Sequence, residues 1–218
     1  MSRKTSRANL ERKCVHKLYN VLRDHDQVIS ISEDVRPGCS SILRHEWDRI
    51  SRESRLKLQP QIDLLFEART IKSPFEKIMC GVEVKYFKKQ NNKFNWPFYA
   101  GIDEAIATLN YGLDRSALWQ VFSPSTSKND LDRYGASFWV HLRKLGIPIE
   151  FTMLVDNGSD FDVYRLRRTD SGYESDLTLK LSEIPLVFPY KNPIMNEPLQ
   201  IELRKLVVDW WKLKTTDG

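Results

Sequence analysis

Two apolar segments, Gln61 to Phe66 and Ile78 to Phe87, have the length and content of β-strands, yet both carry charge among residues that any sheet would bury. In Val82-Glu83-Val84-Lys85-Tyr86 the alternation is strict, so Glu83 and Lys85 project from one face and the three apolar side chains from the other. In Ile62-Asp63-Leu64-Leu65-Phe66, the residues Ile62, Leu64 and Phe66 share a face and leave Asp63 as the polar residue opposite, beside Leu65. A lone carboxylate in a hydrophobic strand is destabilising or shifts its pKa, so its surroundings must compensate it.

Ser73-Pro74 between the two segments signals a turn, and the strands are therefore expected to form an antiparallel hairpin. A turn centred on Ser73 sets Asp63 opposite Glu83, and one centred on Pro74 sets it opposite Lys85. Either register gathers all three on one face. Two neighbouring carboxylates repel unless a cation lies between them. Hard oxygen ligands suit Mg²⁺, while an adjacent lysine can orient a water or neutralise charge developing on phosphorus.

Around this hairpin, helical and strand periods are interleaved. Leu10, Cys14, Leu18 and Leu22 make Ala8 to Arg23 an amphipathic helix whose one acid is Glu11. Val28 to Ile31 reads as a short strand, and the charged run from Arg44 to Lys57 as a partly helical excursion. Beyond the hairpin come a helix from Asp103 to Gly112, a strand from Ser116 to Phe122 and a helix from about Leu131 to Gly146. Strands at Ile147 to Val155 and Phe161 to Arg167 flank Asn157-Gly158, and a last helix runs from Pro198 to Leu213. Such mixing predicts one α/β domain over residues 1–218, a central mixed sheet flanked by helices, with a C-terminal hairpin and helix added after about residue 123. Trp210-Trp211 reads as packing, although a hydrophobic terminal helix also offers a face for a homodimer.

Pro60-x-x-Asp63, nineteen intervening residues and Glu83-x-Lys85 together resemble the PD-(D/E)xK phosphodiesterase superfamily, the restriction-endonuclease-like nucleases. The resemblance extends over about residues 8–123, because Gly101-Ile-Asp-Glu-Ala-Ile-Ala and Ala117-Leu-Trp-Gln-Val-Phe look like the helix and strand that follow the lysine strand in that family. It implies an αβββαβ core in which Asp63, Glu83 and the Val84 carbonyl hold Mg²⁺ or Mn²⁺, Glu11 joins them from the first helix, and Lys85 stands at the attacking water. Asp63 departs from the common pattern by standing three residues after Pro60, and Glu104 takes a place where some branches carry Gln. Taken by itself, Glu104 reads as an ordinary helix residue.

Charge is unevenly distributed. Through Lys93 the chain carries 20 Lys and Arg against 12 Asp and Glu, and beyond it 14 against 17, which concentrates the positive charge beside the hairpin. Arg3, Lys4 and Arg7 at one end of that region, and Lys88, Lys89 and Lys93 just after Lys85, are the candidates for gripping phosphates. Cys14, Cys39 and Cys80 make no Cys-x-x-Cys, no His-x-x-x-His occurs, and neither a phosphate loop nor a Gly-x-Ser-x-Gly elbow is found. No run is long and apolar enough for a membrane span, and the start lacks a secretory signal, so a soluble cytoplasmic protein without a membrane partner is expected. The expected function is a metal-dependent nuclease acting on nucleic acid, DNA in preference to RNA. The alternatives are a nucleic-acid-binding protein of the same fold without turnover, and an unrelated α/β interaction or assembly protein.

Overall fold

Residues 3–37, 43–54, 61–71, 73, 75–91, 93, 94, 97, 99–169 and 172–216 are described by a computed structural model. Helix α1 (Arg3–Arg23) leads into β1 (Val28–Val35), α2 (Arg44–Ser54), β2 (Ile62–Arg69) and β3 (Lys77–Phe87). A small ribbon, β4 (Lys89–Gln90) and β5 (Lys93–Phe94), precedes α3 (Ile102–Leu109), β6 (Arg115–Phe122), α4 (Lys128–Leu145) and β7 (Glu150–Asp156). Strands β8 (Phe161–Thr169) and β9 (Gly172–Lys180) and helix α5 (Pro198–Thr216) complete the chain. Seven strands form one mixed sheet in the order β1-β2-β3-β6-β7-β8-β9. The pairs β3–β6 and β6–β7 are parallel, bridged by the crossover helices α3 and α4, and the other neighbours are antiparallel.

The β2–β3 register runs from Leu64↔Val82 to Arg69↔Lys77, which centres the hairpin on Ser73. Carried one residue further, this register sets Asp63 beside Glu83. Pro74 lies outside the described residues.

Apolar faces explain where each helix sits. Cys14, Val15, Leu18 and Leu22 of α1 cover one face of the sheet at Leu64, Phe66, Val82, Val84 and Trp119. On the other face, Phe87, Leu118 and Phe122 lie under Ala105 and Leu109 of α3 and under Leu131, Tyr134, Phe138 and Leu142 of α4. A third cluster joins α2 and α5 to Ile62, Leu65 and Tyr111, and it contains both Trp210 and Trp211. Those two tryptophans are therefore packed inside this chain and are not offered to a second copy.

Several elements differ from their sequence patterns for identifiable reasons. Strand β7 begins at Glu150, three residues later than expected, because Pro148 has no N–H for a ladder. Strand β1 extends to Val35 as a sheet edge, where polar residues are tolerated, and the charged stretch after Leu43 forms the regular helix α2 as far as Ser54. Strand β9 lies outside the strands that the sequence pattern predicts. It is rich in polar residues, and its place at the opposite edge spares it the burial that makes central strands legible. The expected C-terminal hairpin, β7–β8, continues the main sheet. No helix among the described residues is long and apolar enough to cross a membrane.

Candidate active site

Asp63 lies in β2 one residue before the stretch paired with β3, and Glu83 and Lys85 come from β3 itself. All three are almost withdrawn from solvent, at 8%, 5% and 5% exposure. Lys85 Nζ donates to Glu83 Oε1 at 2.5 Å and lies 3.0 Å from Glu104 Oε2 and 3.8 Å from Glu11 Oε1. Four elements, β2, β3, α1 and α3, thus deliver one lysine and four carboxylates to a single point. Glu11 arrives there because the apolar stripe of α1 docks on Val82 and Val84 and carries the preceding turn toward Lys85.

Gly101 makes the α3 contribution possible. It precedes the helix with φ +91°, and a Cβ at this position would lie 2.6 Å from Leu118 Cδ1 and 3.0 Å from Lys85 Cγ. Only glycine accepts both the left-handed backbone and that approach. Glu104, three residues on, is thereby held against the lysine. From its local pattern alone Glu104 is an ordinary helix residue. Its one local signal is a place in the first turn after a glycine that can adopt a left-handed conformation.

Asp63 is not the unpaired acid its strand suggested. Its Oδ2 accepts the Val84 backbone N–H at 2.9 Å and its Oδ1 accepts Gln61 Nε2 at 3.3 Å. A strand residue presents its N–H and C=O to the same neighbour, so the Val84 carbonyl faces the side on which Asp63 lies.

Burial dominates the electrostatics. It pushes Asp63 up against the opposing donation from Val84, and pushes Glu83 well above the usual carboxylate range, with the Asp63 charge adding to the effect. Glu11 is raised to about 7, chiefly by burial, with Lys85 acting the other way. Burial disfavours the Lys85 ammonium, but Glu83 and Glu11 outweigh it, so Lys85 keeps its proton and its pKa is raised.

Among the described residues, no group of three or more His, Cys, Asp or Glu side chains is arranged to hold a metal ion. The cation at the centre of the four carboxylates is the Lys85 ammonium. The donors nevertheless fit a hard divalent cation. All are oxygens, and Glu11 Oε2 is buried without a hydrogen-bond partner, a deficit that a cation would relieve.

The candidate phosphate-gripping residues have separate fates. Lys88 and Lys93 are exposed near the end of β3, whereas Lys89 is held by Asp130 Oδ2 at 2.6 Å, on the same carboxylate that Ser127 Oγ contacts at the start of α4. Phe94 anchors this ribbon by edge-on contact with Phe87 at 5.9 Å. Arg3, Lys4 and Arg7 belong to the first turns of α1, but their side chains lie outside the described part, as do Cys39 and Trp96. Cys14 and Cys80 are buried free thiols.

A cleft of about 900 Å³ opens beside this cluster between α1 and the β1–β2 edge. Its lining includes Glu11 and the buried Asp63, together with Gln61 and the exposed Arg12, Lys13 and Arg36. The chain matches no protein-family model, no curated protein and no solved structure.

Proposed function

We propose that this chain is a metal-dependent nuclease of the PD-(D/E)xK type that hydrolyses phosphodiester bonds of nucleic acid, DNA in preference to RNA. The observation that carries the reading is the meeting of Asp63, Glu83 and Lys85 on one buried face, with Glu11 beside them. Burying one lysine with four carboxylates is a poor way to stabilise a fold, since desolvation offsets much of the Coulomb attraction. Functional sites are where such arrangements concentrate. The element order also supports the reading, because α1, β1, β2, β3, α3 and β6 follow the αβββαβ succession with α2 and a short ribbon inserted.

Asp63, Glu83 and the Val84 carbonyl, with Glu11, would hold Mg²⁺ or Mn²⁺, which when bound stabilises charge at phosphorus and lowers the pKa of its water. Lys85, kept protonated by its neighbours, donates to the attacking water and to the negative charge that builds on the phosphoryl oxygens. Glu83 and Glu104 hold that ammonium in place. Lys88 and Lys93, with Arg3, Lys4 and Arg7, supply phosphate contacts.

A second reading, binding without turnover, is favoured by one observation: Lys85 already compensates Glu83 and Glu104 without any added cation. Cleavage of labelled DNA in Mg²⁺, Mn²⁺ or EDTA separates the two. Metal-dependent cleavage is expected for the parent, with loss in Asp63→Asn and Glu83→Gln. In Lys85→Ala the rate should fall on the order of a hundredfold, about 3 kcal/mol of transition-state stabilisation. If the parent cuts and all three variants match it, these residues are not the active site. If nothing is cut in any metal, the binding reading prevails.

A further inference from the structure

We infer that the cleft between α1 and the β1–β2 edge admits a single strand of DNA and excludes a duplex, so that the preferred substrate is single-stranded DNA or the unpaired tail of a duplex. This rests on the nuclease reading and adds to it the form of the substrate.

The first reason is depth. A phosphodiester must come within hydrogen-bond reach, or one water, of the reacting side chains. Asp63, Glu83 and Lys85 are 8% exposed or less, and of the cluster the cleft is lined by Glu11 and Asp63, with Glu83 and Lys85 behind them. Its volume of about 900 Å³ falls within the range of pockets that take small molecules, roughly 300–1,000 Å³. A few linked nucleotides fit in such a space. A duplex carries its phosphates on the outside of a rod that stays stiff over about 50 nm, and it cannot fold one of them inward past the walls.

The second reason is the character of the walls. Arg36 is held by Asp34 at 2.7 Å and His16 by Glu33 at 2.8 Å, which leaves Arg12 and Lys13 as the other exposed cations among the described lining residues, in the same cleft as Glu11 and Asp63. Among its described lining residues the charges are nearly balanced, unlike the broad basic face that tracks a duplex backbone. Apart from His16, no described lining residue is aromatic, so the slot has little means of stacking bases or reading sequence. Discrimination therefore falls on strandedness, with Arg12 and Lys13 meeting the phosphates at the rim.

The test uses the full chain and one labelled oligonucleotide in three forms: single strand, blunt duplex, and duplex with a single-stranded tail. Cleavage is followed in Mn²⁺ and Mg²⁺, and binding is followed by anisotropy in Ca²⁺. The single strand and the tail should be cut at least tenfold faster than the blunt duplex, with products mapping to the tail. The pair of substitutions Arg12→Ala and Lys13→Ala, both at exposed positions, should weaken single-strand binding at least tenfold and lower the salt slope by about 1.4. Equal cleavage of the blunt duplex overturns this inference and leaves the nuclease reading standing. Absence of cleavage in every form overturns the nuclease reading. The binding arm then decides the cleft, because unchanged single-strand affinity and salt slope in the double variant would overturn it.

Discussion

Replacing Lys85 by methionine keeps an unbranched stem in the space beside Gly101 and removes only the charge that four carboxylates share. Breaking a buried ion pair from one side costs about 3–5 kcal/mol, because the partner is left buried and uncompensated. For a chain of this size 1 kcal/mol moves Tm by about 2–4 °C, so Lys85→Met at pH 8 should melt about 6–20 °C below the parent. The dependence on pH follows from the signs. Lys85 has its pKa raised, so its contribution is complete below the ordinary lysine range and constant between pH 5 and 8. The carboxylates also have raised pKa values, which means the folded state takes up protons more readily than the unfolded one and gains stability as pH falls. Without Lys85 they rise further, so the deficit of the variant should narrow as the pH drops from 8 toward 5. Mn²⁺ at a hundred times its Kd should return about 2.7 kcal/mol at pH 8 by taking the place of the ammonium. Thermal and urea unfolding of the parent and variant at pH 8 and pH 5, with and without Mn²⁺, measures all of this. Equal stability at pH 8, or a gap that widens on acidification, would refute the view that Lys85 is the cation balancing this cluster.

Glu11, raised to about 7, should compete for protons with a bound metal, so Mn²⁺ affinity measured by calorimetry should fall about tenfold per pH unit below 7 from this group alone. Glu11→Gln should flatten that slope by one proton. Glu150, pushed up to about 7 by burial with only partial relief from Arg143, destabilises the fold above that pH, and its penalty disappears as pH falls toward its ordinary range. Glu150→Gln should accordingly raise stability by about 1–3 kcal/mol at pH 8 after allowance for partial exposure, and by almost nothing at pH 4.5, as read from urea midpoints. Gly101→Ala should cost about 1–3 kcal/mol through its left-handed backbone and the contact with Leu118, and should lower cleavage by displacing Lys85 and Glu104. A fully active and fully stable Gly101→Ala protein would contradict the close approach of α3.

The hairpin carrying Asp63, Glu83 and Lys85 was legible because period-2 alternation, β-rich composition and a turn signal are local properties, and strand register follows from where the turn is centred. The helices α1, α4 and α5 were legible for the same kind of reason: apolar residues at helical spacing must find a surface to cover. Trp210 and Trp211 could be read as packing residues, but that they pack within this chain depends on α2 and Tyr111 lying beneath them, which no local pattern states. Strands at the two edges were shortened or missed, since an edge needs little apolar content to remain paired. Glu104 and the hydrogen bonds of Asp63 show the limit most clearly. Glu104 has an ordinary helical context, and it becomes a partner of Lys85 only because Gly101 lets α3 close on β3; Asp63 is satisfied by a backbone N–H twenty-one residues away. Local sequence determined which residues would be strand, helix and charged. The burial and mutual distances that set the pKa values of those charges were decided by how the sheet and its covering helices pack.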